Sequence, residues 1–295
     1  MNTKAGYVAI IGKPNSGKST LLNSILGTKL SIVTPKPQTT RKRVLGIYSK
    51  ENVQIVFLDT PGILSPKYTM QEIMMDYVSG AVSESDLLVV LLDMEKYPDE
   101  GIPESVLKII KNAKKPVIAA LNKVDKMKDR KEILPFIDSI NKMEIFNDIV
   151  PIAALKDMNT QELLSTIEKY LPEHEFYYDE DLLSTQNERF FVSELIRENI
   201  FLMTKEELPY STEVSILEFK ERDFGKWYIH AEIIVERDSQ KRIIIGSGGS
   251  LIKDIGEKSR ILIEEHLGQG VFLELFVKVR PKWRNDAGRL RSFGY

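Results

Sequence analysis

Through about residue 170 the chain alternates short, almost uninterrupted apolar runs with amphipathic stretches. The runs Tyr7 to Ile11, Val53 to Leu58, Leu87 to Leu92, Val117 to Leu121 and Ile149 to Ala153 are too short for helices and predict strands. Their near-lack of polar alternation is what strands covered on both faces require. Between them, Lys18 to Leu26, Met70 to Ser83, Ser105 to Ala113 and Thr160 to Tyr170 have helical character. This order predicts an α/β domain with a mixed, mostly parallel sheet and helices on both faces.

The pattern changes at Leu171-Pro172. Glu173 to Asp181 holds five acids and no Lys or Arg, so residues 172–183 are expected to link a first domain, 1–171, to a second, 184–295. The second domain reads as a helix near 187–203, strands near 210–222 and 226–237, a helical region around the glycines at 246–249, and a strand near 271–280. Trp227, Ile229, Ala231, Ile233 and Val235 fall on one face of their strand. This is a smaller α+β domain. Periodicity leaves open whether Lys241 to Ile245 is strand or helix.

Composition narrows the class. With 42% hydrophobic and 28% charged residues the chain is globular in character. No apolar run approaches the roughly 20 residues of a spanning helix, and no signal-peptide pattern opens it. Neither secretion nor membrane integration is therefore expected. The absence of cysteine excludes disulfides and thiolate zinc sites. With three scattered histidines, a metal is expected to arrive with its substrate. The net charge of −2 hides one local exception: Lys278 to Arg291 carries six cations against a single acid, Asp286. Such a tail either meets phosphates or is a solvated end.

Gly12-Lys13-Pro14-Asn15-Ser16-Gly17-Lys18-Ser19 has the P-loop spacing G-x-x-x-x-G-K-[ST], after a strand and at the start of a helix, where the motif is informative. Its glycines let backbone N–H groups wrap phosphates, and the helix N-terminus adds a positive end. Lys18 reaches the β- and γ-oxygens, and the Ser19 hydroxyl can ligate Mg²⁺, with Thr20 next in the cradle. Asp59-Thr60-Pro61-Gly62 closes the strand Val53 to Leu58. It sets the Asp59 carboxylate where a second Mg²⁺ contact is needed and lets the Gly62 N–H donate to a γ-phosphate.

Asn122-Lys123-Val124-Asp125 follows the strand Val117 to Leu121, so its side chains emerge at the carboxyl end of the sheet. An ionised Asp125 can accept both N1–H and the exocyclic amine of guanine. Asn122 can reach the base edge and hold neighbouring loops, and the Lys123 stem can cover the ring. Adenine lacks both donors and would leave a desolvated carboxylate unpaired.

In this order the motifs are similar to those of translation-factor-related GTPases. The P-loop sequence itself, Gln38-Thr39-Thr40-Arg41, Glu188-Arg189-Phe190 and Glu207-Leu208-Pro209-Tyr210 narrow the match. From end to end the chain resembles the Era family of bacterial ribosome-assembly GTPases. The resemblance implies GTP and GDP as ligands with Mg²⁺, switch I over Ser31 to Val44, and Thr40, or alternatively Thr39, as the threonine that closes on Mg²⁺. Lys18, Thr40 and Gly62 would then serve catalysis. Ala153-Ala154-Leu155 stands where the family commonly has a Ser-Ala-Leu loop near the guanine ring. Ile63 stands where many small GTPases place a glutamine that orients water, which isoleucine cannot do. Slow hydrolysis is expected unless another group, an ion or a partner compensates. In related GTPases an asparagine at the position of Asn15 can hold K⁺; equally, Asn15 can simply shape the loop.

Ile243-Ile244-Ile245-Gly246-Ser247-Gly248-Gly249-Ser250-Leu251-Ile252-Lys253 fits the KH pattern I-I-G-x-x-G-x-x-I-K. Gly246 and Gly249 permit close backbone approach, and such loops clamp about four nucleotides of single strand. Lys241, Arg242, Lys253, Lys258 and Arg260 around the loop, with Lys282 and Arg284 in the tail, can neutralise phosphates. Trp227, Tyr228 and Phe272 are assigned to core faces. The order of elements suggests a type II KH domain. The family resemblance implies binding of single-stranded rRNA near the 3′ end of 16S rRNA, action on the small (30S) subunit, and a cytoplasmic monomer. It also admits peripheral contact with the inner face of the cell membrane.

Two other functions compete with this one. An RNA-binding scaffold that holds GTP with little turnover is compatible with Ile63, and single-turnover hydrolysis separates it from an enzyme. A membrane-associated septation GTPase would share the P-loop subtype, but the KH loop and the lack of a long amphipathic membrane helix argue against it.

Overall fold

In the computed structural model, which describes residues 3–127 and 133–295, the chain divides into two compact units. One is Met1–Lys67 with Gln71–Thr185, the other Gln186–Tyr295 with Tyr68–Met70.

The first unit runs β1 (Lys4–Gly12), α1 (Lys18–Leu26), β2 (Val44–Lys50), β3 (Val53–Asp59), α2 (Thr69–Glu84), β4 (Leu87–Asp93), α3 (Tyr97–Glu100), α4 (Glu104–Asn112), β5 (Val117–Asn122), α5 (Ile133–Asn141), β6 (Asp148–Pro151) and α6 (Thr160–Tyr170). The six-stranded sheet has the order β2-β3-β1-β4-β5-β6. All pairs are parallel except β2 with β3. Val8 to Ile11 in β1 and Leu87 to Val90 in β4 are fully buried, as their unbroken apolar runs require for central strands. Parallel pairing brings the carboxyl ends of the strands to one side. Gly12, Asp59, Asp93 and Asn122 all stand at strand ends, Asp93 directly opposite Asn122.

β2 was not among the predicted strands. It is an edge strand with Gly46 at its centre, where a Cβ would come within 2.7 Å of Leu22 Cδ1 on α1. Its glycine and polar end, Ser49-Lys50, blur the apolar signal, and its place follows from antiparallel pairing with β3.

The acidic segment expected to be a linker is fastened to the first unit's sheet. Ala5 N donates to Pro172 O at 3.3 Å and Ile47 N to Leu183 O at 2.8 Å, while Ser184 Oγ donates to Leu45 O at 2.5 Å. The fully buried Gln54 side chain accepts from Tyr177 N (2.8 Å) and Tyr178 N (3.0 Å) and donates to Tyr178 O (2.8 Å). One amide thus satisfies three backbone groups of the strap.

The second unit is α7 (Glu188–Met203), β7 (Glu213–Lys220), β8 (Trp227–Val235), α8 (Asp238–Ile245), α9 (Ser250–Leu267), β9 (Val271–Val279) and α10 (Ala287–Ser292). In the sheet β7-β8-β9 the first pair is antiparallel and the second parallel. α7 and α9 cover one face, burying Ile196, Ile200, Ile255 and Ile263 against Ile229, Ala231 and Ile233. Lys241 to Ile245 is helical, the last part of α8. Asn187 caps α7 by accepting from Phe190 N at 2.9 Å.

One expectation needs correction here. Phe272 does not lie on a core face: it is 56% exposed and stacks on Tyr228, with centroids 6.1 Å apart, because β9 turns Val271 and Val277 inward. Of the two readings left open for the basic tail, packing opposes the solvated end. Trp283 and Leu290 are fully buried, Trp283 Nε1 donates to Ser211 O at 3.1 Å, and Asp286 caps α10. Among the described residues no helix is long and apolar enough to cross a membrane.

Candidate nucleotide and RNA sites

The loop between β1 and α1 is shaped by backbone that only glycine accommodates. Gly17 has φ 101°, and a Cβ on it would come within 2.2 Å of Asn122 Nδ2. A Cβ on Gly62 would meet Pro14 N at 2.5 Å, so the Asp59-Thr60-Pro61-Gly62 turn lies directly on the P-loop. Beside these loops is a cavity of about 480 Å³ whose lining includes Asn15, Gly17, Lys18, Ser19, Thr20 and Thr40, with Gly62 and Gln38.

Lys18 is buried, and its ammonium donates to Lys13 O at 2.9 Å and Gly12 O at 3.4 Å. Burial pulls its pKa down to about 8, against the opposing pull of Asp59. Asp59 is fully buried, which raises its pKa, with Lys18 and two hydroxyls working the other way. Those hydroxyls are Ser19 Oγ at 2.8 Å and Ser31 Oγ at 2.9 Å, both donating to Asp59 Oδ2. The other oxygen, Oδ1, is buried without a hydrogen-bond partner among the described residues, as is Ser16 Oγ in the P-loop. Buried polar atoms left this way cost stability unless a ligand or ion engages them.

Ser19 Oγ and Thr40 Oγ1 meet at 2.8 Å. Thr39 turns away, its hydroxyl donating to Lys36 O at 2.8 Å and lying 2.7 Å from Thr34 Oγ1. Of the two threonines, Thr40 therefore joins Ser19 and Asp59. Two hydroxyls and a carboxylate oxygen are a hard, all-oxygen donor set that fits Mg²⁺ shared with phosphates. Asn15, at φ 64°, donates from Nδ2 to Pro35 O at 2.9 Å and so braces switch I.

On the guanine side, Asn122 spends both polar atoms on protein: Nδ2 donates to Ser16 O at 2.8 Å and Oδ1 accepts from Ala154 N at 3.0 Å. It holds loops together, and of the two roles read from sequence this is the one its contacts fill. Lys123 has φ 67° and pairs with Asp93 Oδ2 at 2.6 Å. Asp125 is nearly buried, with Lys156 Nζ 3.3 Å from Oδ2. Asp125 and the exposed Leu155 line the cavity, whereas Ala153 and Ala154 are buried behind it. Asp93 and Lys156 were given no site role from sequence, whereas Ser31 and Gln38 were placed in switch I without a role of their own; for Asp93 the available signal was its place at a strand end beside Asn122.

Ile63 does not line this cavity. It is 7% exposed, packed with Leu92 and Val106, and its N donates to Gly12 O at 3.0 Å.

In the second unit the Gly246–Gly249 loop joins α8 to α9. Gly246, Gly248 and Gly249 have φ of 75°, 58° and 82°, and Ser247 and Gly248 are exposed. Left-handed backbone favours glycine at all three positions, and only at Gly246 would a Cβ also be crowded, 2.8 Å from Leu251 N. Arg242 and Lys253 are exposed on the flanking helices and Lys241 is half-buried. Lys282 is exposed, but Arg284 is tied to Glu236 at 2.6 Å and is mostly buried. Arg260 is likewise paired with Glu264 at 2.7 Å. These two are less available to phosphates than their charge alone suggested.

A P-loop, a hydroxyl pair beside a buried aspartate and the Asp125 carboxylate on the same cavity, all carried by this sheet, are the arrangement of a P-loop GTPase, here followed by a KH domain. The family model described as a 50S ribosome-binding GTPase matches residues 7–123, and the KH domain model matches 207–284. A GTPase Era of Lactobacillus helveticus (strain DPC 4571) is 41% identical over 292 residues, covering 99% of this chain and 96% of the relative. Two solved structures each match at 44% identity over 99% of both chains. They are a point variant of Aquifex aeolicus Era bound to GDP·AlF₄⁻, with TM-score 0.96, and Era in complex with MgGDPNP and nucleotides 1506–1542 of 16S ribosomal RNA, with TM-score 0.94. The chain belongs to the Era family of GTPases.

Proposed function

We propose that this GTPase binds single-stranded rRNA near the 3′ end of 16S rRNA under control of its nucleotide and acts in small-subunit assembly, in the cytoplasm. The observation that carries the nucleotide half is the meeting of Ser19 and Thr40 hydroxyls beside Asp59, which links switch I to the position of a phosphate-bound metal. The RNA half is supported by the exposed Gly246–Gly249 loop and by the likeness to an Era held with MgGDPNP and 16S rRNA nucleotides.

Ser19, Thr40 and Asp59 would hold Mg²⁺, which when bound neutralises charge on the β- and γ-oxygens. Lys18 adds a positive charge from within the P-loop, and the Gly62 N–H donates to the γ-phosphate. Asp125 reads guanine, and Asn122 fixes the loop that carries it. With Ile63 packed in the core, no side chain at that position orients the attacking water, so intrinsic turnover is slow. Asn15 Oδ1 is an oxygen that K⁺ could use.

The test is fluorescence anisotropy of a labelled 3′-terminal 16S rRNA segment with protein in GDP, non-hydrolysable GTP and nucleotide-free forms. Tighter binding in the triphosphate form supports the reading; equal binding in all three removes nucleotide control. Lys18→Ala is expected to lose productive GTP binding while its KH unit stays folded.

A further inference from the structure

Gln38, on switch I, lines the nucleotide cavity together with Lys18, Thr40 and Gly62. Its backbone is left-handed, at φ 58°, a conformation that costs a non-glycine residue about 1–2 kcal/mol and persists only where the surroundings impose it. What holds it is visible. Gln38 Oε1 accepts from Gln71 Nε2 at 3.1 Å, and Gln71 Oε1 accepts from Lys67 N at 2.8 Å.

This chain of bonds fixes the direction of both amides. The Lys67 backbone N–H can only donate, so the oxygen of Gln71 faces it and the nitrogen of Gln71 faces Gln38. Gln38 must then turn its oxygen to Gln71. Its NH₂ group is left, among the described residues, without a hydrogen-bond partner. Gln71 is 5% exposed, so the anchor is buried, while Gln38 is half-buried at the cavity. Meanwhile Ile63 offers no polar group and is packed away from the cavity.

We propose that Gln38 is a catalytic residue whose NH₂ donates to the transferring γ-phosphoryl group, supplying charge stabilisation that Ile63 cannot, and that Gln71 is its positioning residue. In the step, the oxygen of water bonds to the γ-phosphorus as the bond to the β–γ bridging oxygen breaks. GDP leaves with that electron pair, and the water proton passes to the released phosphate. The donor from Gln38 meets equatorial oxygens, where charge is spread in the transition state. The inference rests on the GTPase reading of the cavity.

The experiment uses the full chain in single-turnover hydrolysis, with affinities for GppNHp and for GDP with aluminium fluoride measured alongside. Gln38→Ala is expected to slow hydrolysis about 100-fold, the lower end of what losing one transition-state donor costs. It should weaken the aluminium fluoride complex similarly and leave GppNHp affinity within about threefold. Gln71→Ala should lose less, since the amide can still sample the right orientation. Gln71→Glu should be worse than Gln71→Ala: the carboxylate only accepts, so Gln38 flips its NH₂ toward it and turns its oxygen to the phosphate. In a Gln38→Ala background the Gln71→Glu change should add almost nothing. The proposal is overturned if Gln38→Ala hydrolyses GTP within twofold of wild type, or if GppNHp affinity falls in step with rate, which marks a role in shaping switch I alone. A wild-type chain that hydrolyses no GTP would instead overturn the GTPase reading, a separate outcome.

Discussion

Asn122 Nδ2 donates to Ser16 O across 2.8 Å of buried space, so the Asn122–Asp125 loop, proposed to read guanine, is tied to the P-loop. Nucleotide binding and the local stability of both loops therefore share one side chain. Asn122→Ala strands Ser16 O and Ala154 N, at a cost of about 1–3 kcal/mol for each buried group left unmade. The expected result is a lower Tm of the first unit and a GDP Kd raised at least tenfold, read by calorimetry. An unchanged GDP affinity would remove Asn122 from this role.

Asp125→Asn exchanges an acceptor for a donor on one atom, so preference should pass from guanine to xanthine nucleotides. The change also removes the partner of Lys156, which lies 3.3 Å from Asp125 Oδ2. Competition between GTP and XTP checks it, and equal binding of both by the variant counts against the assignment.

Gln54 predicts a stability effect far from either ligand. Its amide serves Tyr177 N, Tyr178 N, Tyr178 O and Ser49 Oγ, the last at 3.0 Å. Gln54→Ala should cost about 2 kcal/mol or more and loosen the acidic strap. Faster proteolytic cutting between residues 172 and 184, with nucleotide affinity retained, is the expected pattern; hydrogen exchange in the strap that matches wild type would show that other contacts hold it.

The RNA loop can be damaged without touching the GTP site. Ser247→Asp with Gly248→Asp places two carboxylates on the exposed loop proposed to meet RNA phosphates. Gly248 has φ 58° but open space around its Cβ position, and aspartate is among the residues that best tolerate that conformation. RNA affinity should fall at least tenfold at moderate salt while GTP affinity stays within twofold. Wild-type RNA binding by the variant would move the clamp elsewhere.

Much of this was legible in the sequence because it depends on local order. The P-loop, Asp59-Thr60-Pro61-Gly62, Asn122 to Asp125 and Gly246 to Gly249 each place their chemistry within one turn between two elements, and unbroken apolar runs identify the central strands that carry three of them. Other features depend on which distant segments meet. The choice of Thr40 over Thr39 needed the position of Ser19, 21 residues away. The segment 172–183 reads as an acidic linker until the buried amide of Gln54, 123 residues before Tyr177, is found against it. The charges of Arg260 and Arg284 stand out along the chain, but only tertiary pairing with Glu264 and Glu236 shows that they are already engaged. Sequence determined the loops whose function follows from backbone shape and residue type; the tertiary structure decided the partners of each polar group, because a hydrogen bond between remote segments leaves no periodic trace in either.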